Sequence, residues 1–475
     1  MYNAQRLLLI LCLLSVFTQK TRSFSQPPSS SGVVVQSGQM RFVVYGHRML
    51  GIQTIFPSIS QQKDNNPQKQ PYLKEKDVRY WHEGGYLYIE TDSLQVRYLE
   101  GSRPDPSQMT DSLLRITFFL GSRQVVWYPG KPDALNLRGA LPTLQGLSGD
   151  DLAEKLPPGL LSRAGWSLVD HSSGGQIDWF LLAYGHDYKS ALSDWHRLFP
   201  SSAGMSLPSR QVLGYWLRHD SLLTVGQRDT LLMELHESDI PFSILATDSL
   251  LFAHEADTLR LLTSAALDSI PFVSFSGDVW TRWSTLAWLV HYNAISANSG
   301  FSTQVHAIGG SLQIDEDDSE LQVRWMQASV FMPIFLSILT PSPDIKRLPR
   351  LFAEGSSDVT DAFLQAIRLR YDLIPYLQRS WKDAVMKGIN ICRPLYYEWP
   401  EQNDAYRYED EFLCGDSLLV CPVLAPAGAD GRTLRAIWLP PGRWWDVCRK
   451  CYRQGPRIFS DSYLLGEIPY FRRED

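Results

Sequence analysis

The chain has 475 residues, with 45 basic and 51 acidic side chains for a net charge of −6, and 44% hydrophobic against 20% charged residues. That balance excludes a mainly disordered chain, and the lack of any long Lys/Arg run excludes a nucleic-acid footprint. The length suggests about three domains, and 15 Trp and 21 Tyr suit large β-rich cores.

The first 25 residues read as a leader. Arg6 precedes an eleven-residue, mostly apolar run over residues 7–17, and small residues follow around Ser23-Phe24-Ser25. A basic start, a short apolar stretch and a small-residue cleavage site describe a secretory signal, and eleven residues are too few to cross a bilayer. The expectation is an exported chain, periplasmic or extracellular, beginning near Gln26. No later stretch has 18 uninterrupted apolar residues, so no transmembrane segment is expected.

Residues 26–205 read as β. Short β-branched or aromatic runs at 33–35, 41–45, 86–90, 94–98, 114–120 and 124–128 are broken by Gly, Pro, Asn and Asp at strand spacing. The polar stretch 58–71 between them reads as an exposed loop. The pattern predicts an N-terminal β-sandwich. The grammar changes over residues 206–388. A strand at 212–217, a helix at 225–237 and a strand at 241–245 make a βαβ unit, hence a parallel sheet. A strand at 272–275 and helices at 284–293, 320–330 and 361–387 follow, with Pro375 expected to kink or break the last. Short strands return over residues 389–475, a smaller C-terminal β domain. The fold class is therefore multidomain, α/β plus all-β.

After the leader five cysteines remain, Cys392, Cys414, Cys421, Cys448 and Cys451, an odd number that makes no disulfide framework. Cys448-Arg449-Lys450-Cys451 is a lone CxxC without nearby histidines, and reads as a turn, with or without a local disulfide, rather than a zinc site. The acidic run 315–318 reads as a helix start. The lone histidines His219, His254 and His291 have no partner pattern and read as surface or packing residues. Asp278, in Ser276-Gly277-Asp278 between a short strand and a helix, reads locally as an N-cap. The functional alternative is a carboxylic acid at the C-terminal end of a barrel strand, where active sites sit.

Several strings, taken together and in order, resemble glycoside hydrolase family 31, the α-glucosidase and α-xylosidase group. They are Leu160-Leu161-Ser162-Arg163-Ala164-Gly165-Trp166, Tyr184-Gly185-His186-Asp187-Tyr188, Leu213-Gly214-Tyr215-Trp216, and Phe275-Ser276-Gly277-Asp278 with Trp283. His306-Ala307-Ile308-Gly309-Gly310, Val323-Arg324-Trp325, Leu373-Ile374-Pro375-Tyr376-Leu377 and Arg393-Pro394-Leu395 continue the series. Phe412-Leu413-Cys414-Gly415-Asp416 and Gly466-Glu467-Ile468-Pro469 complete it. The resemblance implies an N-terminal β-sandwich, a (β/α)8-type barrel and a C-terminal β-sandwich, and a retaining hydrolysis of α-glucosides or α-xylosides by two Asp residues. Asp278 matches the acid/base, and Asp248, Trp283 and His306 match substrate-binding positions. The implied partner is an α-linked oligosaccharide or polysaccharide; no cofactor and no metal are implied.

The chain departs from that pattern. The family's nucleophile stands on the fourth barrel strand, but Asp248, on the second, and Asp278, on the sixth, are only 30 positions apart, room for one βα unit of about 30 residues. About three strands are therefore expected to be missing between Leu251 and Leu262. The partner of Asp248 in the second-strand motif is Leu250, and the Asp of the family's His-Asp-Ile-Gly-Gly is Ala307. An Arg and a His expected after Phe331-Met332-Pro333 fall on Leu336 and Ile338, and an upstream Arg falls near Leu262-Thr263. Asp248 and Asp268 are displaced-nucleophile candidates by residue type. The reading is a catalytically dead or impaired glycosidase; the alternatives are a non-catalytic carbohydrate-binding or scaffold protein, and an active enzyme with a displaced nucleophile.

Overall fold

A computed structural model of the chain describes residues 32–55, 77–141, 143–147, 155–199, 208–219, 224–237, 239–246, 251–255, 258–261, 273–275, 277–300, 303–310, 312, 318–339 and 356–474. The leader and the polar stretch 58–71 lie outside them.

Strands β1 (Val33–Ser37), β2 (Met40–Gly46) and β3 (Met49–Thr54) open one antiparallel sheet. Strands β4 (Arg79–Glu83), β5 (Tyr86–Glu90), β6 (Leu94–Leu99), β7 (Leu114–Leu120) and β8 (Arg123–Trp127) form a five-stranded meander. Strands β9 (Ser167–Asp170) and β10 (Asp178–Leu182) return to the first sheet, giving the order β1-β2-β3-β10-β9. Period-two alternation decides which face each residue takes. Phe42, Val44, Trp179 and Leu181 share one core with Leu87, Ile89, Val96 and Ile116 of the meander. The intervening Val43, Tyr45, Phe180 and Leu182 enter a second core with Leu413, Trp438 and Trp444, over 200 positions onward. The first sheet is thus covered on both faces, which is why residues 42–45 of β2 read as an unbroken apolar run.

Helix α1 (Tyr188–Leu198), capped by the Asp187 carboxylate on the Ser190 amide, leads into the α/β region. The strand expected at 212–217 is shorter and later. Ser209 caps a single helical turn, α2 (Arg210–Leu213), and β11 runs over Tyr215–His219. Helix α3 (Val225–Glu237) begins with a reciprocal capping box: the Gln227 amide N–H donates to Thr224 Oγ1, and the Thr224 N–H to Gln227 Oε1. Strand β12 (Ile244–Ala246) then pairs parallel with β11, as a βαβ unit requires.

The chain next forms an antiparallel hairpin, β13 (Leu251–Glu255) and β14 (Thr258–Leu261), on the outer edge of β12. The interval read from sequence as a point of deletion thus holds two strands, antiparallel rather than parallel. After them come β15 (Val273–Phe275), α4 (Trp283–Ile295), β16 (Thr303–Val305), β17 (Ala307–Ile308), α5 (Ser319–Ser329), β18 (Phe335–Leu339) and α6 (Ser357–Lys387). β15 and β16 pair parallel, and the larger sheet runs β14-β13-β12-β11-β18-β17. β11 and β12 are buried along their apolar residues, as strands covered on both faces must be.

Pro375 does not end α6, so of the kink or break expected there the break does not occur. Ile367, Ile374, Leu377 and Trp381 on either side of it are all buried in the central core. At about 1.5–3 kcal/mol each, their burial outweighs the ~3 kcal/mol cost of an internal proline. Gly388, in the left-handed region at φ +67°, ends the helix; a Cβ there would lie 2.3 Å from the His196 Cβ.

Strands β19 (Cys392–Pro394), β20 (Phe412–Cys414), β21 (Leu418–Val420), β22 (Thr433–Asp446), β23 (Cys451–Tyr463) and β24 (Tyr470–Glu474) build the C-terminal antiparallel sheet, in the order β19-β20-β21-β24-β22-β23. The CxxC spans the end of the turn between β22 and β23 and the first residue of β23, with both thiols free. Among the described residues no helix is long and apolar enough to cross a membrane.

Candidate active site

Asp278 sits just beyond the C-terminal end of β15. The local N-cap reading does not hold: α4 starts at Trp283, its N-cap is Arg282, and no side chain caps it. The residues between are used in cross-loop pairing instead. The Asp278 N–H donates to Gln145 Oε1 at 2.8 Å, and Gln145 Nε2 returns a bond to Asp278 Oδ2 at 3.1 Å. The Gly146 N–H donates to the Asp278 carbonyl at 2.8 Å, and the Trp280 indole N–H to the Gly146 carbonyl at 3.2 Å. Segment 143–147 therefore clamps the carboxylate loop along backbone and side chain. Gly277 makes this approach possible. Its φ is +96°, and a Cβ would lie 2.8 Å from Gln145 Oε1 and 3.0 Å from Thr143 Oγ1.

A second loop comes from β16 and β17. Trp280 bridges Leu312, with the Leu312 N–H on the Val279 carbonyl and the Thr281 N–H on the Leu312 carbonyl. Thr281 Oγ1 donates to the Gly309 carbonyl at 2.6 Å. Gly309 and Gly310 both have positive φ, and a Cβ on Gly310 would meet the Val279 carbonyl at 2.9 Å. The Gly309-Gly310 turn after β17 is thus joined to the Asp278 loop.

The matched binding residues are placed differently. Trp283 opens α4 and its indole N–H donates to Asp318 Oδ2 at 2.8 Å, while Asp318 Oδ1 caps α5 through the Leu321 amide at 2.9 Å. Of the acidic run, Asp318 is the N-cap of α5, and residues 315–317 lie outside the described residues. His306 is buried between β16 and β17, edge-on to Tyr292 with ring centroids 5.7 Å apart. His291 lies 3.8 Å from Glu409. Asp248, Asp268, Leu250, Leu262 and Thr263 lie outside the described residues. Gln145 and Gly146 could not be found from sequence: their partner is 133 positions away, and no local pattern marks a clamp.

Two of the positions where the resemblance leads one to expect polar groups stand side by side. Ala307 pairs with Leu336 across the parallel β17–β18 ladder, and Ile338 lies two residues on. All three are buried, with Leu336 in the central core. In place of hydrogen-bonding groups the sheet carries an apolar floor here.

Burial lowers the His306 imidazole to about 3, so it is neutral in the folded chain at ordinary pH. The unfolded chain binds that proton near 6.5. Stability from this residue is thus fully present above pH 6.5 and is lost as the pH falls toward 3, with a limiting slope of about 1.4 kcal/mol per pH unit. Unfolding midpoints across pH 4–7 should fall less steeply for His306→Phe than for the parent chain; parallel curves would refute this.

Residues 262–379 match the glycosyl hydrolases family 31 TIM-barrel domain, and residues 388–475 the glycosyl hydrolase family 31 C-terminal domain. Mouse neutral alpha-glucosidase C is 32% identical over 204 residues, 42% of this chain and 22% of the relative. Alpha-glucosidase 2 of Bacillus thermoamyloliquefaciens is 29% identical over 216 residues, 45% of this chain and 26% of the relative. The match thus spans about a quarter of these relatives' length or less. Among solved structures, a GH31 dextranase from Flavobacterium johnsoniae superimposes with a TM-score of 0.69 at 12% identity, over 94% of this chain and 81% of that one. A xylosidase from Aspergillus niger gives 0.66 at 12% identity, over 94% and 98%. These likenesses bear on the fold, an α/β region joined to all-β parts. With one domain match on the α/β region and the other on the sheet that follows it, the chain belongs to glycoside hydrolase family 31.

Proposed function

We propose that this chain is an exported α-glycosidase relative that has kept its acid/base carboxylate but lost its nucleophile, so that hydrolysis of α-glucosides or α-xylosides is abolished or severely impaired. One observation carries the reading. Only 26 residues, 247–272, separate β12 from β15, and an antiparallel hairpin occupies 251–255 and 258–261. Each βα unit of a (β/α)8 barrel takes about 30 residues. The interval therefore has no room for three further parallel strands, one of which would hold the nucleophile. In this reading residues 1–25 are the export signal, 26–205 a β-sandwich, 206–388 an incomplete barrel and 389–475 a C-terminal β domain.

A retaining hydrolysis needs two carboxyl groups about 5–5.5 Å apart across the glycosidic bond. One donates its proton to the leaving oxygen while the other attacks the anomeric carbon. The first then removes a proton from the water that releases the sugar. Asp278 can serve the first role, since its side chain is partly exposed and held in place by Gln145. Without the second carboxylate no glycosyl-enzyme forms. Losing a covalent nucleophile costs on the order of 10⁶ in kcat by analogy with triad knockouts. The apolar Ala307–Leu336 pair supports the same reading, because it offers no hydrogen bond to a sugar hydroxyl.

The test is hydrolysis of aryl α-glucosides and α-xylosides by the parent chain and by Asp278→Asn, with peptide mapping after a mechanism-based covalent inhibitor. Equal background rates and no labelled peptide are expected. Turnover that disappears in Asp278→Asn, or a labelled Asp, would overturn the proposal and identify a displaced nucleophile.

A further inference from the structure

We propose that Cys392 and Cys414 form a cross-strand disulfide when the chain folds in the presence of a small oxidising disulfide such as oxidised glutathione. The proposal does not depend on the glycosidase reading. The two residues are directly opposite in the antiparallel β19–β20 ladder. The hydrogen bond from the Gly415 N–H to the Ile391 carbonyl, at 2.9 Å, belongs to the adjacent pair. Cys392 and Cys414 therefore occupy a non-hydrogen-bonded position, where opposite Cα atoms approach to about 4.5 Å. That lies at the short end of the 4.4–6.8 Å (approximately) span of disulfides.

The side chains converge as well. Both thiols donate to one oxygen, the Phe331 carbonyl, Cys392 Sγ at 3.5 Å and Cys414 Sγ at 3.3 Å. Both side chains are buried and share the central core. None of the three other C-terminal thiols has this arrangement: buried Cys421 lies just past β21, with its N–H on the Pro469 carbonyl, Cys448 donates to the Ile468 carbonyl at 3.0 Å, and exposed Cys451 faces Asp446 across its ladder. Burial also pushes the Cys414 thiol up to about 12 and that of Cys392 upward too. A protonated, enclosed thiol does not attack a disulfide, so the folded chain resists oxidation and the bond must form while β19 and β20 are coming together.

The step balances by exchange. One cysteine thiolate attacks the small disulfide, forming a mixed disulfide and releasing one small thiolate. The second cysteine thiolate attacks the protein sulfur of that mixed disulfide, closing Cys392–Cys414 and releasing the other. Two protein thiols are oxidised and one small disulfide is reduced to two thiols.

The full chain should be unfolded, then refolded in parallel in a glutathione redox buffer and in excess reductant, alkylated and digested with trypsin without reduction. The oxidised sample should contain peptides 388–407 and 408–432 linked, lighter by two hydrogens than their sum, with fragmentation placing the bond at Cys414 rather than Cys421. The reduced sample should carry alkyl groups on both cysteines. Reductant should lower the unfolding midpoint of the oxidised parent chain and leave Cys392→Ala unmoved. Full alkylation of Cys392 and Cys414 after oxidative refolding, or a bond from either to another cysteine, would overturn the proposal.

Discussion

Arg370→Met is expected to lower the unfolding free energy by about 3–5 kcal/mol, the cost of breaking a buried, fully engaged charge. Arg370 is completely buried on α6. Its Nε donates to the Leu213 carbonyl at 2.6 Å, Nη1 to the Val330 and Met332 carbonyls at 2.7 and 2.5 Å, and Nη2 to the Pro333 carbonyl at 2.8 Å. Leu213 ends the turn leading into β11, and residues 330–333 lead into β18, so one guanidinium fixes how two neighbouring parallel strands begin. Burial lowers its pKa only to about 10, so it stays protonated at neutral pH. Methionine fills much of the space but leaves four buried carbonyls without donors, each such loss costing roughly 1–3 kcal/mol. Lysine restores the charge without the planar fork and should recover only part of the stability. Exposed Arg368 on the same helix is the control: Arg368→Met should change stability by no more than about 0.5 kcal/mol. Chemical unfolding of the three variants measures this, and equal shifts for Arg370→Met and Arg368→Met would refute it.

Arg370 also marks the limit of what sequence discloses. The strands of the first 200 residues are legible because alternation is local: Leu94, Val96 and Tyr98 face inward while Gln95 faces out. The βαβ unit is legible for the same reason. The family motifs place Asp278 correctly beyond a strand, yet the local grammar of Ser-Gly-Asp before a helix also describes a cap. The cap fails because Asp278 bonds instead to Gln145, 133 positions earlier, where no local pattern points. Pro375 reads as a break because its cost is local, whereas the burial that offsets it is tertiary. The hairpin at 251–261 escapes notice because its joining residues, Ala256 and Asp257, lack the Asn-Gly or Asp-Gly that announces a two-residue turn.

Deleting residues 251–261 should sharply lower the fraction of the chain recovered as soluble protein relative to the parent. β12 lies between β11 and β13, and Ile244, Leu245 and Ala246 are each paired to the hairpin at Ala253, Phe252 and Leu251. All three are buried. Removing the hairpin would open a row of unpaired backbone groups on an apolar strand, a template for association with other chains. A closed eight-stranded barrel has no such edge; in the proposed reading, a shortened one must create edges, and the hairpin covers that of β12. The substitutions Ala256→Asn and Asp257→Gly together, which supply a favoured two-residue turn, should keep the chain soluble and its melting cooperative. Soluble yield and thermal unfolding of both variants check the argument. A deletion variant that remains soluble and melts like the parent would mean that the β12 edge does not depend on the hairpin for its protection.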